Sequence, residues 1–311
     1  MRKHYPDVPA LVTLHDPPQT VVNLLPSFYF YQSHLAVRCI RKLFNMTFGR
    51  RIETDFYKLG CTWLTLSKRG DAQLTMRLKS VSDEKFITRT IPHLNYYNRK
   101  YDYPRLLRSN TDLRLGFLGS ITRSKGLDTL IKAAIIANSK VAHEGGRVTV
   151  KISGAVLFDQ DLLYMHRLKQ MVADNGLMDI ISFSGRLSDE ELPIFFSQLD
   201  LLVLPYNETA SGSASGPLMW ARSFGVPVIA SATRNMPEMV SNRKDGLLFS
   251  PGNVHELAEC ISEVALCSEL LEKLRVGAEL RCADCSWEQS VNGLSAIIGD
   301  ILKQRPQTMR Q

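Results

Sequence analysis

Long apolar runs are missing from this chain, and so are paired cysteines. No window approaches the ~18 uncharged apolar residues of a membrane-spanning helix, and the apolar stretch before His15 and Asp16 is too short for a secretory leader. The six cysteines are dispersed, and no second ligand pair accompanies Cys282 and Cys285. We therefore expect a cytoplasmic protein with free thiols, without a bound metal or a disulfide framework.

Nucleic-acid recognition motifs, repeats and low-complexity tracts are absent as well. The 311 residues carry a net charge of +7, which favours anionic partners, but the basic residues are scattered along the chain. We predict no nucleic-acid partner, and nucleotides and acidic lipid surfaces stay open. With 44% hydrophobic and 22% charged residues, the composition is that of a globular protein, and the length suits two domains of roughly 100–200 residues.

Strand-like and helix-like segments alternate through the later two thirds of the chain. Apolar runs typical of buried strands lie at 113–119, 147–154 and 199–205. Amphipathic segments with helical spacing separate them. This alternation predicts an α/β fold with a parallel sheet and helices on both faces. We place one complete doubly wound domain at 107–285, followed by a C-terminal helix and tail at 286–311.

The first 106 residues contain fewer elements than the rest. Strand-like segments lie at 10–16, 61–67 and 87–93. Three strands are too few for an independent doubly wound domain, so we interpret residues 1–106 as a partial Rossmann-like domain whose opening half is missing before Val8. Segment 27–51 mixes aromatic and basic residues at helical spacing. This pattern suits either an amphipathic helix at the inner face of a membrane or an interdomain helix.

The sequence LGFLGSITRSKG at residues 115–126 is the most informative stretch. An apolar run ends in Gly119, a polar turn follows, and Gly126 opens an amphipathic helix. Unpaired backbone N–H groups at a helix start carry partial positive charge, and Arg123 and Lys125 add two full charges. The segment, called the Lys125 loop below (residues 119–126), therefore suits a diphosphate. An ordinary strand-to-helix turn with solvated basic residues is the alternative.

A second loop, rich in serine and glycine, follows the strand that ends at Pro205. This serine loop (residues 207–216) presents Ser213, Ser215 and Gly216 just before Pro217, a residue expected in the first turn of a helix. Hydroxyls and N–H groups there suit an anion or sugar hydroxyls, whereas the alternative is a loop that Ser215 merely caps. Both loops follow parallel strands at their carboxyl ends, so we expect them to line one crevice.

These motifs together resemble glycosyltransferase family 4, which has the two-domain GT-B architecture. The resemblance rests on the G-x5-K-G spacing from Gly119 to Gly126, on LLVLP and GVPVIAS, and on DGLLFSPGN at 245–253. It runs over about residues 8–300, and implies that 107–285 is the nucleotide-sugar donor domain and 1–106 the acceptor side. It also implies that Lys125 binds the donor diphosphate and that His15 faces the donor sugar.

The same resemblance implies the reaction. A nucleotide diphosphate sugar would be the co-substrate, with no separate cofactor, and the sugar would pass with retention to a saccharide or lipid-linked acceptor. In that reading Gly119, Ser120, Arg123 and the serine loop would hold the donor. Lys125 and Arg123 would stabilise charge that grows on the leaving diphosphate.

The chain departs from the family pattern at three side chains. Ser120 stands where the family has arginine, and Arg123 is its substitute on the same loop. The family's two glutamates fall at Gly212 and Trp220, neither of which is acidic, so Glu208 is our candidate for contact with the transferred sugar. These departures keep a non-catalytic remnant or a partner-dependent subunit open. A sugar-nucleotide epimerase also stays open, although it would need acidic groups in the crevice.

Overall fold

The computed structural model of the chain describes residues 11–14, 62–81, 87–91, 112–207, 215–233, 235–284 and 287–303. The strands are β1 (Leu11–Leu14), β2 (Thr62–Thr65), β3 (Ile87–Thr90), β4 (Leu113–Leu118), β5 (Val148–Ser153), β6 (Ile181–Gly185), β7 (Leu201–Leu204), β8 (Val228–Ser231) and β9 (Gly246–Phe249). The helices are α1 (Lys68–Val81), α2 (Leu127–Ala142), α3 (Leu162–Asp174), α4 (Glu191–Ser197), α5 (Gly216–Ser223), α6 (Met236–Met239), α7 (Val254–Leu266), α8 (Ser268–Asp284) and α9 (Trp287–Lys303).

These elements fall into two compact units. The first unit contains β1–β3, α1 and nearly all of α9, and the second contains β4–β9 with α2–α8. None of the helices in the described ranges is long and apolar enough to cross a bilayer.

The first unit has a parallel three-stranded sheet in the order β1-β2-β3. Its middle strand is buried along its whole length and contributes Trp63 and Leu64 to the core. The Ser67 hydroxyl accepts the backbone N–H of Gly70 at 2.9 Å and so caps α1. The three predicted strands are confirmed. The predictions for His15 and for segment 27–51 concern residues outside the described ranges.

The second unit is built on a parallel six-stranded sheet in the order β6-β5-β4-β7-β8-β9. The central strands are rich in Leu, Val and Ile and are buried on both faces, as a doubly wound sheet requires. Within this unit the chain enters the sheet at β4, adds β5 and β6 on one side, and then places β7, β8 and β9 on the other side of β4. This confirms the predicted doubly wound α/β fold, and its strand order reverses between β4 and β7.

The helices around this sheet pack against one another in pairs, and side chains form hydrogen bonds at the start of two of them. α2 packs against α7, and α8 packs against α5. The Asn253 side chain accepts the backbone N–H of Glu256 at 3.1 Å and caps α7. At the first residue of α4, the Glu191 carboxylate accepts the backbone N–H of Ser188 at 2.7 Å and so closes the turn that precedes the helix.

A buried carboxylate ties the amino ends of the central strands to α8. Asp200 is 1% exposed and precedes β7. It accepts the backbone N–H of Arg114 at 2.8 Å and that residue's Nε at 3.1 Å. Nη2 of Arg114 donates to the other carboxylate oxygen at 3.0 Å, and Arg275 of α8 adds a fourth donor at 2.6 Å. Two arginines thus compensate one desolvated charge, at the edge of the sheet opposite the carboxyl ends.

Candidate functional site

The strand order reverses between β4 and β7, and a doubly wound sheet has a crevice at the carboxyl ends of its strands at such a point. In doubly wound sheets ligands bind at this point, because the flanking helices diverge there. Gly119 follows β4 with a φ of +146°, a value that favours glycine. A Cβ on Gly119 would lie 3.8 Å from the Pro217 side chain of α5. The Lys125 loop and the start of α5 are therefore neighbours, as predicted from their positions after parallel strands.

The Lys125 loop is held to the chain that follows β7. Asn207 donates its backbone N–H to the Ser124 carbonyl at 3.0 Å and its side-chain Nδ2 to the Arg123 carbonyl at 2.8 Å. Gly126 has a φ of +65°, and a Cβ there would collide with the carbonyl oxygen of Pro205. Glycine is thus required at Gly126 for two reasons, namely its backbone conformation and the close approach of the two segments.

Lys125 lies on an aromatic ring in the crevice. Its Nζ is 4.1 Å from the centroid of the Tyr206 ring, a cation–π contact. Lys125 is half-buried, and burial lowers the pKa of its ammonium group because desolvation penalises the charged form. A bound anion would act in the opposite direction and favour the protonated amine.

Arg123 supplies the second cation of the loop. It is exposed, and its guanidinium carbon lies 5.7 Å from the centroid of the Tyr164 ring. The Tyr164 hydroxyl donates to Asp128 at 2.9 Å, which fixes the ring. Nearby Asp161 is buried, and burial raises the pKa of its carboxyl group while the charge of Arg123 partly opposes that rise. Arg123 is therefore steadied by an aromatic face and stays open to solvent.

Ser215 caps the helix that begins at Gly216. Its hydroxyl accepts the backbone N–H of Leu218 at 3.4 Å and lies 3.1 Å from the Tyr206 hydroxyl. Ser215 is buried, and Pro217 stands in the first turn as predicted. The structure thus gives Ser215 the capping role that the sequence left open, and ligand binding by Ser215 and Gly216 stays a prediction.

The remaining predicted site residues are placed as follows. Ser120 directly follows Gly119 on the Lys125 loop and is half-exposed. His15, Glu208 and Ser213 lie outside the described residues, so their roles stay predictions. Within the described ranges, no group of three or more His, Cys, Asp or Glu side chains could hold a metal ion.

Three site residues were not found from the sequence. Tyr206 directly follows the strand that ends in Pro205, where an aromatic residue is more often part of the core. Tyr164 and Asn207 act through contacts between segments far apart in the chain, for which the sequence contains no local signal. Trp220, at a position where the resemblance implies a glutamate, is half-exposed and stacks on Phe224 at a centroid distance of 6.1 Å.

Comparison with protein families identifies the second unit. The family model described as "Glycosyl transferases group 1" matches residues 100–281. One relative is a GDP-mannose-dependent alpha-(1-6)-phosphatidylinositol monomannoside mannosyltransferase of Mycobacterium tuberculosis, 26% identical over 60% of this chain and 46% of its own length. A 2-deoxystreptamine glucosyltransferase of Streptomyces kanamyceticus is 30% identical over 53% of this chain and 40% of its own length. The chain thus spans about half the length of these relatives, or less.

Solved structures agree on the fold. Sucrose-phosphate synthase from Thermosynechococcus elongatus superposes with a TM-score of 0.68 at 19% identity, over 94% of this chain and 68% of that one. HepE of Anabaena, solved in complex with UDP, gives a TM-score of 0.70 at 17% identity, over 94% and 72%. These likenesses confirm the GT-B type of α/β fold. With a family match over more than half of its residues, the chain belongs to the group 1 glycosyl transferases.

Proposed function

We propose that this chain is a glycosyltransferase that uses a nucleotide diphosphate sugar as donor and a saccharide or lipid-linked acceptor. The observation that carries the proposal is the position of Lys125. Its ammonium lies in the crevice between β4 and β7, fixed over the Tyr206 ring, with Arg123 on the same loop. The names of the relatives and the UDP bound in HepE support a nucleotide sugar as the donor class.

The chemistry that this arrangement offers is electrostatic. When the bond between sugar and diphosphate breaks, negative charge grows on the leaving group. Cations and helix N–H groups already oriented toward that charge lower the barrier because they need no reorganisation. Lys125 and Arg123, with the N-termini of α2 and α5, would supply this stabilisation. We propose transfer with retention at the anomeric carbon and no separate cofactor.

The other predicted residues take supporting roles in this proposal. Gly119 and Ser120 would offer backbone and hydroxyl groups to the diphosphate. Ser213, Ser215 and Gly216 would do the same from the serine loop. His15 would face the donor sugar and Glu208 would contact it.

We propose residues 1–106 as the acceptor side, 107–285 as the donor domain and 286–311 as a helix and tail. Family 4 is the proposed subgroup. Peripheral contact of segment 27–51 with a membrane is also part of the proposal.

A non-catalytic nucleotide-binding role is the second candidate. It is favoured by one observation: the positions at which the resemblance implies acidic residues hold Gly212 and Trp220, and the Trp220 ring is stacked on Phe224. In this role the chain would bind a donor nucleotide and depend on a partner for turnover. Both candidates require nucleotide binding at Lys125, and only the first requires sugar transfer.

Titration calorimetry with UDP, GDP and ADP tests the shared requirement. We expect one of the three to bind, and Lys125→Ala to weaken that binding by roughly 10- to 100-fold, the worth of a hydrogen bond to a charged group. Lys132→Ala is the matched control, because Lys132 is exposed on α2 outside the crevice. Equal affinity of Lys125→Ala and the wild type would overturn the assignment of the diphosphate site.

A turnover assay then separates the two candidates. The matching sugar nucleotide is incubated with lipid-linked and soluble saccharide acceptors, and release of the nucleoside diphosphate is followed. Product formation whose anomeric proton signal matches the donor's configuration supports a retaining transferase. Tight binding with no release over hours supports the non-catalytic candidate.

A further inference from the structure

We propose that Tyr206 is a positioning residue that sets the Lys125 ammonium against the donor diphosphate and couples the Lys125 loop to the start of α5. The inference rests on the proposed function, because it concerns how Lys125 is presented to the same ligand. Tyr206 is placed to do both things at once. Its ring face lies under Lys125, and its hydroxyl lies against the cap residue Ser215.

The Tyr206 ring is a fixed platform. It is only 5% exposed, and its hydroxyl lies 3.1 Å from Oγ of Ser215. Its backbone carbonyl accepts the Ser231 hydroxyl at 2.6 Å, and the next residue, Asn207, is bonded twice to the Lys125 loop. Burial raises the pKa of Tyr206 to about 12, so the phenol stays neutral at physiological pH. A neutral ring held at both ends cannot follow a moving side chain.

The ring restricts a flexible cation. A lysine side chain has a flexible four-carbon stem, and it loses much rotamer freedom when its ammonium is fixed by a ligand. Because Nζ already lies 4.1 Å from the ring centroid, the side chain is partly restricted before a ligand arrives. The entropy cost of binding is then smaller, which favours binding. The contact uses one side of the ammonium, and N–H donors on its other side stay available to phosphate oxygens.

The hydroxyl links this cation to the second loop. Ser215 accepts the N–H of Leu218 and so orients the first turn of α5. Because the same Ser215 oxygen lies in hydrogen-bond range of the Tyr206 hydroxyl, a shift of the ring would disturb the ammonium and the helix start together. The two anion-binding elements are therefore held at a set separation by one side chain.

A double-mutant cycle tests the role of the ring. The binding of the tightest of UDP, GDP and ADP is measured by calorimetry for Tyr206→Leu, Lys125→Ala and the combined variant. We expect Tyr206→Leu to weaken binding by roughly 3- to 30-fold when Lys125 is present, and by clearly less in the Lys125→Ala background, where only the link from the hydroxyl to Ser215 is lost. Tyr206→Phe keeps the ring under Lys125 but loses that link, so it should weaken binding by roughly 2- to 5-fold in both backgrounds. Binding by Tyr206→Phe equal to that of the wild type would overturn the coupling to α5.

A spectroscopic measurement checks the contact without any nucleotide. In protein labelled with ¹³C-lysine, protons near an aromatic face are shifted upfield, and the Lys125 signal is assigned by its loss in Lys125→Ala. We expect an upfield Hε signal in the wild type and in Tyr206→Phe, and an ordinary position in Tyr206→Leu. Thermal unfolding of each variant shows that the fold is retained.

The outcomes separate this inference from the function on which it rests. If Lys125→Ala binds nucleotide as the wild type does, the proposed function fails, and the positioning role fails with it. If Lys125→Ala binds weakly but Tyr206→Leu weakens both backgrounds equally, only the role of Tyr206 is overturned. An unshifted Lys125 signal in the wild type would overturn it as well.

Discussion

Replacing Gly126 by alanine should damage both the stability of the second unit and its crevice. Gly126 has a φ of +65°, which costs about 1–2 kcal/mol for a residue with a Cβ. Its Cβ would also collide with the carbonyl oxygen of Pro205, and overpacking of this kind costs about 1–3 kcal/mol. We expect Gly126→Ala to lower the free energy of unfolding by about 2–5 kcal/mol, measured by urea denaturation.

Gly145 provides a matched control for this prediction. Its φ is +74°, and a Cβ there would have nothing within 4 Å. Gly145→Ala therefore carries the backbone strain without the collision and should lose only about 1–2 kcal/mol. Nucleotide binding should also weaken in Gly126→Ala alone, because the collision separates the Lys125 loop from the chain after β7. Equal losses in the two variants would refute the argument that close approach requires Gly126.

Two further predictions concern charged groups. Asp200→Asn removes the negative charge that Arg114 and Arg275 share in a buried site, so it should lower the free energy of unfolding by about 3–5 kcal/mol in urea denaturation. Asp189 is exposed, and Asp189→Asn should leave the free energy of unfolding unchanged. A loss below about 1 kcal/mol for Asp200→Asn would contradict this view of the buried site. Burial lowers the pKa of Lys125 below its ordinary value of 10.5, so affinity for a nucleoside diphosphate should fall as the pH rises through that lowered pKa, where the ammonium becomes neutral. The Lys125→Ala variant should lack this component of the pH profile, and an identical profile in both proteins would disprove it.

The sheet of the second unit was predictable because its strands are short apolar runs between amphipathic segments. The run before Gly119 and the run before Pro205 are unambiguous, since a buried parallel strand needs apolar residues on both faces. α1 was not predicted because its sequence is polar, and Leu74 is its fully buried side chain among those described. α8 was missed as well, since a single residue, Cys267, separates it from α7.

The candidate site was predictable only as far as local chemistry reaches. A cationic loop between a strand and a helix predicted Arg123 and Lys125 as candidate site residues, and the shared edge of parallel strands predicted that this loop lies beside the start of α5, as it does. The aromatic ring beneath Lys125 and the two hydrogen bonds from Asn207 to the loop depend on strand order. Strand order is a long-range property, since β4 and β7 are neighbours although two strands lie between them in the chain.

The way in which the Lys125 loop is anchored has an evolutionary consequence. Its ties to Asn207 end on the backbone carbonyls of Arg123 and Ser124, and a further bond joins the backbone N–H of Lys125 to the Thr122 carbonyl at 3.0 Å. Side chains between Gly119 and Gly126 can therefore be exchanged while the backbone shape of the loop is kept, whereas the two glycines themselves cannot. An arginine could therefore move from one position of the loop to another in evolution without a change in the backbone that presents it.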